Sequence, residues 1–334
     1  MNRRDNFMGK KVKKLFYFSF MVFISGTVFA QPVPAPDENI PYLMTFGPKA
    51  ETSWGDDDYS QTFFFLVPEN YKGVVYIKVF DPDVGGKHDE ENGVFDTRVT
   101  YSVYGGVGCF TNEDAKEVNP VGNYKSGRLL ATKSFGVNPT YDDKYFVFGP
   151  FNATEGELFK DWGGHYIFKV ICDGNTGDDG NLYRYFLSVS KDINKEVEGG
   201  NAFAFEYSFR MHDDPNEVSH IYPYIDDKTI SIQQMNFDWD NDGVIRVVSV
   251  ARQGQILKVS NQDEWVQDNM KILEEEKNTS LDFQFIKKRN PPVKNNNVVI
   301  NVRNQYGELL PFYVVPIGGV PKYNPSIGIQ PMNK

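Results

Sequence analysis

Hydrophobic and polar residues alternate at every second position along most of this chain, and the alternation is broken by clusters of Gly, Pro, Asp and Asn. A period of two marks strands with one buried face, and the interrupting residues are those that supply turns. The pattern predicts strands over 61–67 (QTFFFLV), 74–80 (VVYIKVF), 98–104 (RVTYSVY), 145–148, 166–172, 182–189 and 202–210. In the last of these, Phe203, Phe205, Tyr207 and Phe209 are expected on one face and Ala204, Glu206 and Ser208 on the other. Strands resume over 229–235, 244–250, 255–259, 281–286, 298–302 and 312–317. One short helix is predicted among them. Asn261 and Glu264 have the Asn-x-x-Glu spacing of an N-terminal cap, and Trp265, Val266, Met270 and Leu273 follow at helical spacing. Trp265 reads there as a core anchor.

Many short strands without helices between them predict an all-β fold. The stretch 223–228 (PYIDDK) reads as a hinge. The expected architecture is therefore two tandem β-sandwich domains. The larger, over 42–225, is jelly-roll or C2-like; the smaller, over 226–320, is immunoglobulin-like with one short helix. Residues 31–41 (QPVPAPDENIP) read as a Pro-rich lead-in with no core to join, and 321–334 as a loose tail.

The first thirty residues differ in character from the rest. Arg3, Arg4, Lys10, Lys11, Lys13 and Lys14 precede an apolar run from Leu15 to Phe29, which ends Val28-Phe29-Ala30. This is the three-part form of a secretory signal peptide over 1–30, and the run is shorter than the roughly 20 apolar residues of a spanning helix. No Cys stands directly after it, which disfavours lipid attachment. The leader holds six basic residues and one acid, so the whole-chain charge of −10 becomes −15 without it. Such a surface repels phosphate backbones and anionic lipid, which argues against nucleic-acid partners. Export to the periplasm, the outer-membrane surface or the medium is expected, with no membrane span in the mature chain. In such a compartment Cys109 and Cys172 have two readings, a disulfide or two buried free thiols.

Acidic residues crowd at predicted strand ends. Asp81, Asp83, Asp89, Glu90 and Glu91 lie in one glycine-rich loop, Asp56, Asp57 and Asp58 precede another strand, and Asp178 and Asp179 sit in a hairpin loop. Ca²⁺ takes six to eight oxygen ligands, and loops that concentrate carboxylates beside glycine can supply them. In a sandwich the loops gather at two ends, so some of these clusters are expected to converge. Asp238, Asp240 and Asp242 form a D-x-D-x-D-G string, the first half of a calcium loop. Its twelfth position is Ser249 and not Glu, so it is no EF-hand. The same residue types also make ordinary solvated turns.

Sequence signatures of catalysis are scarce. No H-E-x-x-H, G-x-S-x-G or P-loop string occurs, and the four histidines match no metal-binding spacing, His212 and His220 included. The reading is a non-catalytic protein, with envelope or surface proteins, and alternatively glycans, as partners. A hydrolase with an unrecognised site is the third reading.

Several strings, TSWGDDDYSQTFFFLVPENY, VYIKVFDPDVGGKHDEENGVFDT, YSVYGG and GDDGNLYRYFLS, together resemble the extracytoplasmic β-domain in the N-terminal half of some OmpA-family envelope proteins of Gram-negative bacteria. The resemblance covers roughly 50–190, with weaker echoes in SLDFQFIK and LPFYVVPIGG. It implies an envelope location and no catalysis. The peptidoglycan-binding module that follows such a region in that family has no counterpart here.

Overall fold

The structure, a computed structural model, describes residues 31–116, 118–161, 163–289 and 296–325. The leader expected over 1–30 and the end of the expected tail lie outside the described residues. The protein is all-β, and its regular helical turns, among the described residues, are short 3-10 segments.

Two large antiparallel sheets form the framework. One has eight strands, in the order Trp265–Lys271, Ser231–Phe237, Asn297–Asn304, Glu206–Arg210, Tyr42–Phe46, Gly180–Ser188, Val74–Phe80 and Tyr145–Asn152. The other runs Phe312–Tyr313, Asn201–Ala204, Ser60–Pro68, His165–Thr176, Arg98–Gly105 and Arg128–Phe135, with Glu157–Phe159 also paired to His165–Thr176. The run Phe63 to Val67 is apolar without alternation because both faces of its strand are covered. Phe63 and Phe65 face the eight-stranded sheet, where Phe63 stacks on Tyr185 with centroids 5.0 Å apart. Phe64 and Leu66 face the other way, into a second core in which Phe64 stacks on Phe203 at 4.9 Å.

The break expected at 225/226 is not a break in the pairing. Glu206–Arg210 bonds to Tyr42–Phe46 on one side and to Asn297–Asn304 on the other, so one sheet is built from both halves of the chain. A smaller sheet of Val218–Ile221, Asp282–Lys287, Gly243–Val248 and Gln255–Leu257 adds Ile245, Val247, Phe283 and Phe285 to the same core as Val298, Ile300 and Val302. Phe285 meets Phe209 edge-on at 5.2 Å. The second layer of strands packs on a sheet shared with the first.

Three local expectations change with it. The strand expected over 202–210 is two strands, Asn201–Ala204 in one large sheet and Glu206–Arg210 in the other, and the chain crosses between the sheets at Phe205. Phe203 and Phe205 therefore join one core while Tyr207 and Phe209 join the other. The predicted helix is a strand, Trp265–Lys271, paired along its length with Ser231–Phe237. Asn261 Nδ2 does reach Glu264 Oε2 at 3.0 Å, but the pair closes a turn in which Asp263 has positive φ, and Trp265 is exposed rather than a core anchor. The lead-in does join the core: Val33 and Ala35 are buried, and the Leu187 N–H donates to Val33 O. Period two survives inside the Pro-rich stretch, and that alternation turns Val33 and Ala35 to one side. Cys109 and Cys172 are both buried free thiols, in different cores.

Candidate metal centres in the acidic loops

Strand Val74–Phe80 ends at Asp81, and its neighbour Tyr145–Asn152 starts after Asp142 and Asp143, so pairing Phe80 with Tyr145 brings the acids of two loops together. Asp81, Asp83 and Asp142 place carboxylate oxygens within 4.8 Å of one another. The Asp143 N–H donates to Asp81 Oδ1 and the Tyr141 N–H to Asp83 Oδ2, each at 3.2 Å. Asp83 Oδ1 is buried and accepts no hydrogen bond. Burial pushes the Asp81 carboxyl up to about 6, and Asp83 and Asp142 push in the same direction, against the Asp143 N–H and His88. Burial also raises Asp83. At the rim, Lys87 and His88 each reach Asp143 at 2.9 Å, and Asp81, His88 and Asp143 form an overlapping convergent group.

The other acids of this region hold loops in place. Asp89 does not join that group. Its Oδ1 accepts from the Leu182 N–H and its Oδ2 from the Gly85 N–H, both at 2.7 Å. Asp179 is fully buried; Oδ1 accepts from the Asn92 N–H at 3.0 Å, and Oδ2 from the Asp96 and Thr97 N–H groups at 2.7 and 3.0 Å. Asp178 takes the Asn92 side-chain amide at 2.8 Å. Asp96, Asp178 and Asp179 also converge within 4.8 Å. Three main-chain donors on one carboxylate satisfy most of its acceptor capacity, so Asp179 is the least suited of the three to a cation.

Asp56, Asp57 and Asp58 form a further convergent group. Asp56 is a turn-former: Oδ2 accepts from the Phe46 N–H at 2.7 Å and Oδ1 from the Tyr59 N–H at 3.0 Å. Asp58 Oδ1 accepts from the Ser60 N–H at 2.9 Å. Asp57 Oδ1 and Asp58 Oδ2 are buried with no donor. Burial pushes Asp56 up to about 7 and Asp57 up to about 6, and it raises Asp58, with Asp56, Glu206 and Asp57 adding to that last shift.

The three acidic regions do gather at one end of the two large sheets. Phe46 bonds Asp56 and pairs with Gly180, and Gly180 exchanges N–H bonds with Glu90. They remain separate groups rather than one cage. Asp238, Asp240 and Asp242 are buried in a tight turn with positive φ at Asp238, Asp240 and Asn241, and their carboxylates are not among the convergent groups found among the described residues. His212 and His220 have separate partners, Asn39 O at 2.7 Å and Asp282 Oδ1 at 2.8 Å. The sequence reading missed Asp142, Asp143 and Asp96 because each lies outside the acidic string it joins. The signal for the first two was present: PTYDDK precedes the strand that forms a ladder with the one ending at Asp81.

Comparison with protein-family models finds no match, and comparison with curated proteins finds none.

Proposed function

We propose that this chain is an exported, non-catalytic protein of the cell envelope, a structural or protein-interaction module whose acidic loop end is stiffened by Ca²⁺. The observation that carries the cation is Asp83 Oδ1, a buried carboxylate oxygen without a donor beside Asp81 and Asp142. An anionic oxygen kept from water and unpaired is costly, and a hard cation with oxygen ligands relieves that cost. The staples at Asp89 and Asp179 support the scaffold role, since they hold the loop over 81–97 against the neighbouring hairpin. The basic and apolar halves of residues 1–30 support export.

A ligand that binds only the folded state raises its stability, by about 2.7 kcal/mol at a hundredfold excess over Kd. The chain, expressed with its leader and recovered from periplasm or medium, is melted in EDTA, in Ca²⁺ and in Mg²⁺. Ca²⁺ is expected to raise the melting temperature by several degrees, and Asp83→Asn to reduce that rise. Equal melting in EDTA and Ca²⁺ removes the cation from the reading, and retention of the chain in the cytoplasm removes the envelope.

A further inference from the structure

Strand Asn297–Asn304 ends in a turn whose polar side chains bond back to the chain itself. Asn304 Oδ1 accepts from the Tyr306 N–H at 2.9 Å and the Glu308 N–H at 3.1 Å, and Asn304 Nδ2 donates to Glu308 Oε2 at 2.7 Å. The main chain closes the same turn: the Asn304 N–H donates to Glu308 O at 2.9 Å and the Gly307 N–H to Asn304 O at 3.0 Å. Gly307 has a φ of +82°, which glycine adopts without steric cost. Gln305 ties the turn to its neighbour, with Oε1 accepting from the Ile230 N–H at 3.1 Å and Nε2 donating to Lys228 O at 3.0 Å. Tyr306 stands out from this frame. Its side chain is 72 % exposed, and its hydroxyl has no partner among the described residues.

A lone exposed ring is ordinary at a protein surface, and Tyr306 gains meaning from what it borders. It lines a cavity of about 500 Å³, within the roughly 300–1,000 Å³ of ligand pockets. Phe110 and Phe205, buried rings of the outer core, lie against that cavity. Lys116 and Arg303 line it together with Glu113 and Glu308. Lys116 Nζ is held 4.5 Å from the Phe110 ring centroid. Arg303 Nη1 donates to Gly307 O at 2.9 Å, which fixes the guanidinium and leaves other N–H donors for a ligand. A sugar ring matches this set. One of its faces is C–H groups that pack on an aromatic ring, and each of its hydroxyls both donates and accepts. Tyr306 supplies the ring, the two cations supply donors and the two carboxylates supply acceptors. The opposite signs also select: an acidic glycan meets Glu113 and Glu308, and an amino sugar meets Lys116 and Arg303. A protein-docking centre is depleted of charge and rich in apolar side chains, but the other exposed residues around this cavity are Glu113, Gly307 and Glu308. The pinned turn lowers the ordering cost of stacking on Tyr306.

We propose that the cavity between the Glu113–Lys116 segment and the turn over 304–308 binds a neutral oligosaccharide, with one sugar ring stacked on Tyr306. The site shares no residue with the acidic loop groups and does not require their cation. The purified chain is screened on an array of neutral, amino and acidic oligosaccharides, in Ca²⁺ and in EDTA. The strongest neutral hit is then titrated calorimetrically into wild type, Tyr306→Ala, Tyr306→Phe and Lys116→Gln. Neutral glycans are expected to bind in both buffers. Tyr306→Ala should melt with wild type, because the side chain is exposed, and weaken binding by about tenfold or more, while Tyr306→Phe keeps most of the affinity. Lys116→Gln, which removes a charged donor, should weaken binding as well. An array without neutral hits, hits confined to charged glycans, or wild-type affinity in Tyr306→Ala each overturn the site. Binding that vanishes in EDTA overturns it too, since the sugar would then sit at the acidic loops. A protein partner that needs Tyr306 while no oligosaccharide binds replaces the glycan with a docking surface. Equal melting in EDTA and Ca²⁺ removes the cation from the loops and leaves this site standing.

Discussion

Asp179 and Thr97 grip each other twice: the Thr97 N–H donates to Asp179 Oδ2 at 3.0 Å, and the Asp179 N–H donates to Thr97 Oγ1 at 2.7 Å. With the Asn92 and Asp96 N–H groups also on that carboxylate, one side chain holds the long acidic loop against the hairpin. Removing it leaves the buried Thr97 N–H and the part-buried Asn92 and Asp96 N–H groups without this partner. Asp179→Ala is expected to lower stability by about 3 kcal/mol, since each orphaned buried group costs on the order of 1–3 kcal/mol. Urea unfolding measures it. The loss should be the same in EDTA and in Ca²⁺, and a loss confined to Ca²⁺ would make Asp179 a cation ligand instead of a staple.

Phe64 stacks on Phe203 and meets Phe110 and Phe205 edge-on at 5.5 and 5.9 Å. These rings form the outer core that the crossing at Phe205 creates. Phe64→Ala is expected to cost about 3–5 kcal/mol through lost burial and an uncollapsed cavity. Phe64→Leu should cost less than half of that, and similar values for the two would mean that the outer core is loosely packed.

Glu38 is buried in the lead-in, with the Tyr207 hydroxyl donating to it at 3.4 Å. Burial pushes its carboxyl from 4.5 up to about 8, and the Tyr207 bond opposes this. Between those values the folded state keeps the proton and the unfolded state has lost it. The stability from this group is therefore fully present below pH 4.5 and is lost as pH rises through 8, on the order of a few kcal/mol. Glu38→Gln should flatten that fall. The difference between the two unfolding-versus-pH curves isolates Glu38 from the other raised carboxyls, and parallel curves would refute its burial.

Cys109 and Cys172 lie in different cores, and burial pushes both thiols up to about 12. A thiol both buried and protonated is a poor nucleophile. A chromogenic disulfide reagent is expected to label neither in the native protein and both in denaturant without reductant. Fewer than two thiols per unfolded chain would show that they pair.

Most strands were legible in the residues alone, because a strand with one covered face writes its period of two into neighbouring positions. The strand Val74–Phe80 was read with its boundaries correct, and some of the acidic clusters at strand ends were expected to converge. Local pattern failed wherever the deciding partner was distant in sequence. Trp265–Lys271 carries weak helical spacing as well as alternation, and its ladder with Ser231–Phe237 chose between them. The crossing at Phe205 exchanges one sheet for another without interrupting the alternation, so the pattern could not announce that Phe203 and Tyr207 would part. The same holds for the chemistry. That carboxylates crowd at strand ends is a property of the chain, but which of them keep an oxygen free is set by main-chain N–H groups brought up from elsewhere. Asp179 received three such donors and Asp83 one, and Glu206 met Asn301 only because strands ninety-odd positions apart were paired in register.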